Sequence, residues 1–198
     1  MPPHGQVRFD AFREYGMLVM ALALSAMSSP VTLGELNVAP PDRFVAELGD
    51  IFERSSWVAE RALALRPFPD VAALHQAMIL IVDQADADEK LALLRAHPEL
   101  AGREAQQGSL TTASAVEQER AGLNALTPAE MIRITELNAA YRKRHGFPFI
   151  VCVGHHTKDS LLQNFERRAS STTAVETVEA LQQVAAITRL RLDRLLSI

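Results

Sequence analysis

The sequence predicts an all-α protein, a single-domain helical bundle of about seven to nine helices. Three observations carry this. Apolar residues recur at three- and four-residue spacing along most of the 198 positions, the signature of helices that bury one face. The breaks between these stripes hold cap and stop residues. The one apolar, β-prone segment, Phe147 to Val153, has no partner strand elsewhere in the chain.

Taken in order, Leu36 to Asp42 reads as a lead-in loop with Pro40 and Pro41. Pro41 and Asp42 open a helix whose stripe is Phe44, Val45, Leu48, Ile51 and Phe52. Trp57, Val58, Ala62 and Leu65 form a second, short helix, ended by Arg66-Pro67 because proline disfavours the α conformation before it. Asp70 caps a third through Leu74, Met78 and Val82, which Asp86 to Asp88 interrupt. Leu91, Leu93 and Leu94 lead into His97-Pro98. A link from Gly102 to Gly108 carries few apolar residues, and Leu110 to Leu126 reads as helix. Thr127-Pro128-Ala129-Glu130 is a capping box with proline at the first helical position, and Gly146 marks that helix's end. Phe147 to Val153 reads as a buried extended segment. Thr157 to Arg168 and Thr173 to Leu196 close the chain. The last helix is expected to turn Val175, Val178, Leu181, Val184, Ile187, Leu190 and Leu195 inward.

The formal net charge of −4 gives no electrostatic footprint for nucleic acid or an anionic membrane. A single cysteine, Cys152, rules out an intramolecular disulfide and a cysteine-built metal site. This fits a reducing, cytoplasmic setting, as does a C-terminus, Leu196-Ser197-Ile198, unlike the peroxisomal Ser-Lys-Leu address. Near the N-terminus, Met17 to Met27 is an apolar run too short to span a bilayer. It resembles a signal core, but Asp10 and Glu14 stand in the would-be basic region. An extra helix, or a start that truly lies at Met27, reads better.

Several residues could carry chemistry. Pro98 ends the preceding helix and presents His97 at a helix end, where an imidazole can act as acid or base, or simply cap. Ser114, Glu117 and Gln118, at i, i+3 and i+4, share one helix face that could orient a polar ligand or be solvated. The extended segment could offer free backbone groups to a flat heterocycle or serve as a buried connector. His145, His155 and His156 lack metal-ligand spacing. Cys152 reads as a small core residue. Arg189 and Arg191 lie two apart, so at most one faces inward, where it would make a bidentate clamp for a substrate carboxylate. Nucleotide-binding and serine-hydrolase glycine motifs are absent.

Together these pieces resemble a known family. Ser56-Trp57-Val58-Ala59, Arg66-Pro67-Phe68, Arg95-Ala96-His97-Pro98-Glu99-Leu100, Ser114-Ala115-Val116-Glu117-Gln118, Ala121-Gly122-Leu123, Leu137-Asn138-Ala139-Ala140-Tyr141 and Gly146-Phe147-Pro148-Phe149-Ile150-Val151-Cys152 occur in the order found in the 2-oxo-4-hydroxy-4-carboxy-5-ureidoimidazoline (OHCU) decarboxylases. The resemblance covers residues 32–198 and leaves 1–31 as an extra N-terminal segment. It implies an all-α homodimer without metal or organic cofactor, turning the small molecule OHCU into (S)-allantoin in urate breakdown.

The same resemblance assigns roles. His97 is the catalytic proton donor, and Glu117 bonds the substrate near the reacting carbon. Arg191, followed by Leu192, is the inward arginine, with Arg189 the competing choice. Pro98, Ser114, Ala115, Val116, Glu117, Gln118 and the segment Phe149, Ile150, Val151, Cys152 and Val153 contact substrate. Glu117 is expected to raise the His97 pKa and keep the ring protonated. One departure from the family pattern is Gly154, where an arginine is common. Two other readings compete: the same fold acting on another carboxy-ureido or imidazole compound, and a non-catalytic helical interaction module. A mere module has no reason to gather His97, Glu117 and an arginine.

Overall fold

A computed structural model describes residues 31–196. Among these are ten α-helices, two 3-10 turns and no strand, so the all-α bundle is what forms. The helices are α1 (Leu33–Val38), α2 (Pro41–Leu48), α3 (Trp57–Ala62), α4 (Val71–Gln84), α5 (Ala87–Arg95), α6 (Arg103–Gln106), α7 (Thr112–Arg120), α8 (Pro128–His145), α9 (Lys158–Ala169) and α10 (Thr173–Leu195). The short α1 and α6 arise in stretches that read as lead-in loop and link. The apolar run Met17–Met27, and the start considered at Met27, lie outside the described residues.

The caps read from the sequence are in place. Asp70 accepts from the Ala73 N–H at 2.7 Å, and Thr127 and Glu130 form a reciprocal capping box ahead of Pro128. Gly146 ends α8 at φ 79°, a conformation that suits glycine. Asp86 does more than interrupt α4: with Glu89 it builds the capping box of α5, which delivers His97 from its far end. The helix expected over Leu110–Leu126 is shorter, because the chain turns after Arg120 and passes through Gly122 at φ 73°.

The longest helix, α10, lies against α4 on one side and α8 on the other. Of the residues expected inward, Val184 and Ile187 are buried and Leu181, Leu190 and Leu195 pack against the core, but the row does not extend to Val175 and Val178. Residues three apart drift by about 60° around a helix at each step, so a row from Val175 to Leu190 cannot hold one face. Val175 and Val178 are exposed, and the buried row runs Glu176, Ala180, Val184, Ile187, Arg191. Two charged residues therefore occupy core positions. Each is answered by a partner.

Phe147 to Val153 is a buried, extended, strandless segment. Tyr141 meets Phe147, Phe149 and Phe165 edge-on, and Phe149 stacks on Phe165 at 3.9 Å between centroids. The backbone is tethered by side chains: Arg168 Nη1 donates to the Ile150 carbonyl at 2.8 Å, and the Cys152 N–H donates to Gln183 Oε1 at 2.9 Å. Val151 N–H and C=O make no hydrogen bond among the described residues.

Candidate active site

Four elements converge beside this segment: the end of α5, the bend after α2, α7 and the last turns of α10. His97 sits just past α5, buried, with its N–H donating to the Leu94 carbonyl. Its ring Nδ1 lies 2.9 Å from the Leu93 carbonyl. A carbonyl only accepts, so Nδ1 carries the proton, and Nε2 of the neutral ring is a bare acceptor. Pro98 follows, and Gln118 fixes the next turn: its Oε1 accepts from the Ala101 N–H at 2.9 Å and its Nε2 donates to the Glu99 carbonyl. Asn138 donates to the Leu100 carbonyl at 2.9 Å.

Arg191 faces inward and is 6% exposed. Arg189 instead pairs with Asp193 at the surface, which settles the choice left open by the sequence. The cause is register: Arg191 is four residues beyond Ile187 on the buried row, and Arg189 is turned about 160° from Arg191. The Arg191 guanidinium holds Glu117 through Nε at 2.9 Å and Nη2 at 2.8 Å. Its Nη1 reaches Glu53 Oε2 at 3.0 Å, and Nη2 also donates to Ser114 Oγ at 3.2 Å. The clamp expected for a substrate carboxylate is thus already filled by two carboxylates of the chain itself.

Glu53 escaped the sequence reading. It is 1% exposed and accepts from Thr111 Oγ1 at 2.7 Å and Ser114 Oγ at 2.8 Å. Its one sequence signal is a carboxylate directly after Ile51-Phe52, where an apolar stripe ends. Burial works to raise its pKa, but the Thr111 bond, Arg191, Ser114 and His97 outweigh this and hold the carboxyl below its usual range. Burial likewise opposes the charge on Arg191, and Glu117 with Glu53 restores it and more. Two carboxylates and one guanidinium leave a formal charge of −1 beside the imidazole.

That charge does not keep His97 protonated. Burial is the largest influence on the ring and pushes its pKa down, while Leu93, Glu53 and Glu117 only partly offset it. The expectation that Glu117 holds an imidazolium is therefore overturned: the resting ring is neutral, with Nε2 ready to accept.

An inner cavity of about 40 Å³ is lined by His97, Pro98, Leu100, Ser114, Glu117, Gln118, Phe149, Ile150, Val151, Val153, Ile187 and Arg191. It gathers most of the residues singled out in the sequence. Cys152 lines an adjoining outer cavity instead, and burial raises its thiol pKa. Ala115 and Val116, on other sides of α7, line separate surface cavities. His145 is buried against Tyr141, 4.5 Å between ring centroids, and bonds Thr173. No metal-ligating cluster occurs among the described residues.

The fold and site define an all-α protein with a buried imidazole beside a buried carboxylate–guanidinium cluster. The sequence model of the family described as OHCU decarboxylase matches residues 37–193, and the chain belongs to that family. It is 40% identical over 162 residues to 2-oxo-4-hydroxy-4-carboxy-5-ureidoimidazoline decarboxylase of Haloferax volcanii, covering 82% of this chain and 94% of the relative. It is 38% identical to the uric acid degradation bifunctional protein PucL of Bacillus subtilis, over 81% of this chain but 32% of that one. Among solved structures, an (S)-allantoin synthase superposes with a TM-score of 0.64 at 34% identity, covering 82% of this chain and 53% of that chain. An OHCU decarboxylase crystallised in the presence of (S)-allantoin shares the fold, with a TM-score of 0.59 at 22% identity and coverage of 79% and 99%.

Proposed function

We propose that the protein is a carboxy-lyase that converts OHCU to (S)-allantoin in urate degradation. The observation that carries this, within a family so described, is the neutral His97 whose Nε2 alone is free to exchange protons beside Glu117.

The substrate carries hydroxyl and carboxylate on one ring carbon, next to a C=N bond. As the C–C bond to the carboxylate breaks, its electron pair enters that C=N bond and the nitrogen takes a proton from water. CO2 leaves. The hydroxyl proton passes to His97 Nε2, a carbonyl forms, and the imidazolium returns the proton to the ureido-bearing carbon. Delivery from the one face that His97 occupies fixes the S configuration. Such acid–base catalysis supplies roughly 10²–10⁴-fold. Gln118 and Asn138 steady the turn that carries His97-Pro98. The unpaired N–H and C=O of Val151 suit the amide-like edge of the ring. Glu117, held by Arg191, is set to hydrogen-bond the substrate near the reacting carbon.

Two further parts of this reading are a homodimer and a cytoplasmic location. Val175 and Val178, exposed one turn apart on α10, suit a subunit contact, and light scattering tests it. No described helix is long and apolar enough to cross a membrane; fluorescence of the tagged chain in cells tests the location. The activity is tested by generating OHCU in situ from urate and following circular dichroism. The protein should speed the appearance of one allantoin enantiomer. An unchanged rate, or a racemic product formed at the accelerated rate, would sink the proposal.

A further inference from the structure

The inner cavity, about 40 Å³, has room for only a few water molecules. A ring bearing a ureido arm and a carboxylate needs more. The outer cavity, about 260 Å³, shares Glu117, Val153 and Ile187 with it and extends from them to Arg120 and Arg194. The two together offer one continuous site, with Glu117 at the junction.

The charges divide along the same line. Inside, Glu53, Glu117 and Arg191 sum to −1, and both edges of the Arg191 fork are taken. An anion is repelled there. Outside, Arg120 on α7 lines the cavity and makes no hydrogen bond or ion pair among the described residues. Arg194, one turn beyond Arg191 on α10, lines it too, 41% exposed, with only a 3.6 Å approach to Glu117.

Resting on the decarboxylase reading, we propose that the outer cavity is the carboxylate subsite, where Arg120 and Arg194 grip the substrate's carboxylate while the ring enters the inner cavity toward His97. The neutral ring and ureido arm lose nothing beside the buried −1 cluster. The bond to be broken then spans the junction at Glu117, and CO2 departs into the larger cavity. Loss of CO2 also removes the only charge the arginines grip. The neutral product keeps no such hold, so the pair distinguishes substrate from product and favours release.

The test assays Arg120→Gln, Arg194→Gln and the double variant with OHCU generated from urate, across ionic strengths, together with inhibition by (S)-allantoin. Partly exposed charge pairs are weak individually, so KM should rise about threefold for each single variant and about tenfold for the double. Salt should raise KM in the wild type, and this dependence should flatten in the double variant. kcat should stay within about twofold, and inhibition by allantoin should not change. Unaltered KM and salt dependence would overturn the subsite while leaving the decarboxylase reading intact. So would allantoin inhibition that weakens in step with KM, which would put the arginines on the ureido arm. A wild-type protein without decarboxylase activity removes the reading and the subsite together.

Discussion

Arg191 and Glu117, 74 positions apart, meet through two parallel hydrogen bonds, Nε to Oε1 at 2.9 Å and Nη2 to Oε2 at 2.8 Å. This fork-on-fork contact fixes the plane of Glu117 at the junction of the two cavities, and Nη1 is left to hold Glu53. A lysine ammonium offers the charge but not the planar fork. Arg191→Lys should therefore fold yet lose about 100-fold in kcat, the scale of a misplaced catalytic group. Arg191→Met leaves two carboxylates buried without a cation and should cost about 3–5 kcal/mol. Urea unfolding and steady-state assays on the pair of variants separate the two effects.

Glu53 does not itself line the inner cavity, yet it stands behind its wall and joins Thr111, Ser114 and Arg191 into one network. Its negative charge also favours the protonated form of His97. Glu53→Gln keeps the shape and removes that charge. The His97 pKa should fall further, so the acid limb of the kcat/KM profile should move to lower pH, with kcat reduced about tenfold or more as Arg191 loosens. A profile that keeps its acid limb in place would show that Glu53 acts on structure alone.

Much of this fold lay open in the chain because helix ends are local chemistry: Asp70, Thr127 with Glu130, and Gly146 are read within one turn of the backbone they cap. His97-Pro98 and the Ser114/Glu117/Gln118 face were legible for the same reason. What escaped is long-range. Glu53 is buried because Arg191, 138 residues away, comes to it. Glu176 lies on the core row of α10 because Arg168 and Tyr141 answer its charge. Hydropathy places such carboxylates in water. Reading α10 by its apolar residues alone accordingly chose Val175 and Val178, which are exposed. The His97 pKa went astray similarly: the nearby charge was visible in sequence, the desolvation that outweighs it was not.

The neutral resting state of His97 makes a directional prediction. Burial holds its pKa below the ordinary 6.5, and in the proposed mechanism His97 first acts through Nε2 accepting a proton. kcat/KM should therefore be level at neutral pH and fall as pH drops below 6.5 through the lower folded value. A proton-donating imidazolium at rest would instead lose activity as pH rises. Stability follows the same sign, because the unfolded ring binds protons that the folded one refuses. The His97 contribution is complete above 6.5 and is lost as pH falls through the folded pKa. Glu53, also lowered, adds a second loss that begins near its ordinary 4.5. His97→Gln should abolish the first loss and the acid limb together, which pH-dependent urea unfolding and rate profiles would detect.

The buried pair Arg168 and Glu176, each 1% exposed at the side chain, makes stability and activity separable. Glu176 accepts from Arg168 and Tyr141, and Arg168 passes the constraint on, donating to the Ile150 carbonyl and lying over the Phe149 ring at 4.6 Å. Glu176→Ala strands a buried guanidinium and should cost about 3–5 kcal/mol. Replacing both, Arg168→Met with Glu176→Leu, removes the need to compensate any charge. The double variant should then be more stable than Glu176→Ala alone, since apolar substitutes for a buried ion pair are often neutral or better. Its activity should stay low, because the Ile150 carbonyl has lost its donor and the segment from Phe149 to Val153 is less firmly placed against His97. Urea unfolding of the two variants beside their kcat values decides the matter: full activity in the double variant would show that the ion pair serves the core and not the site.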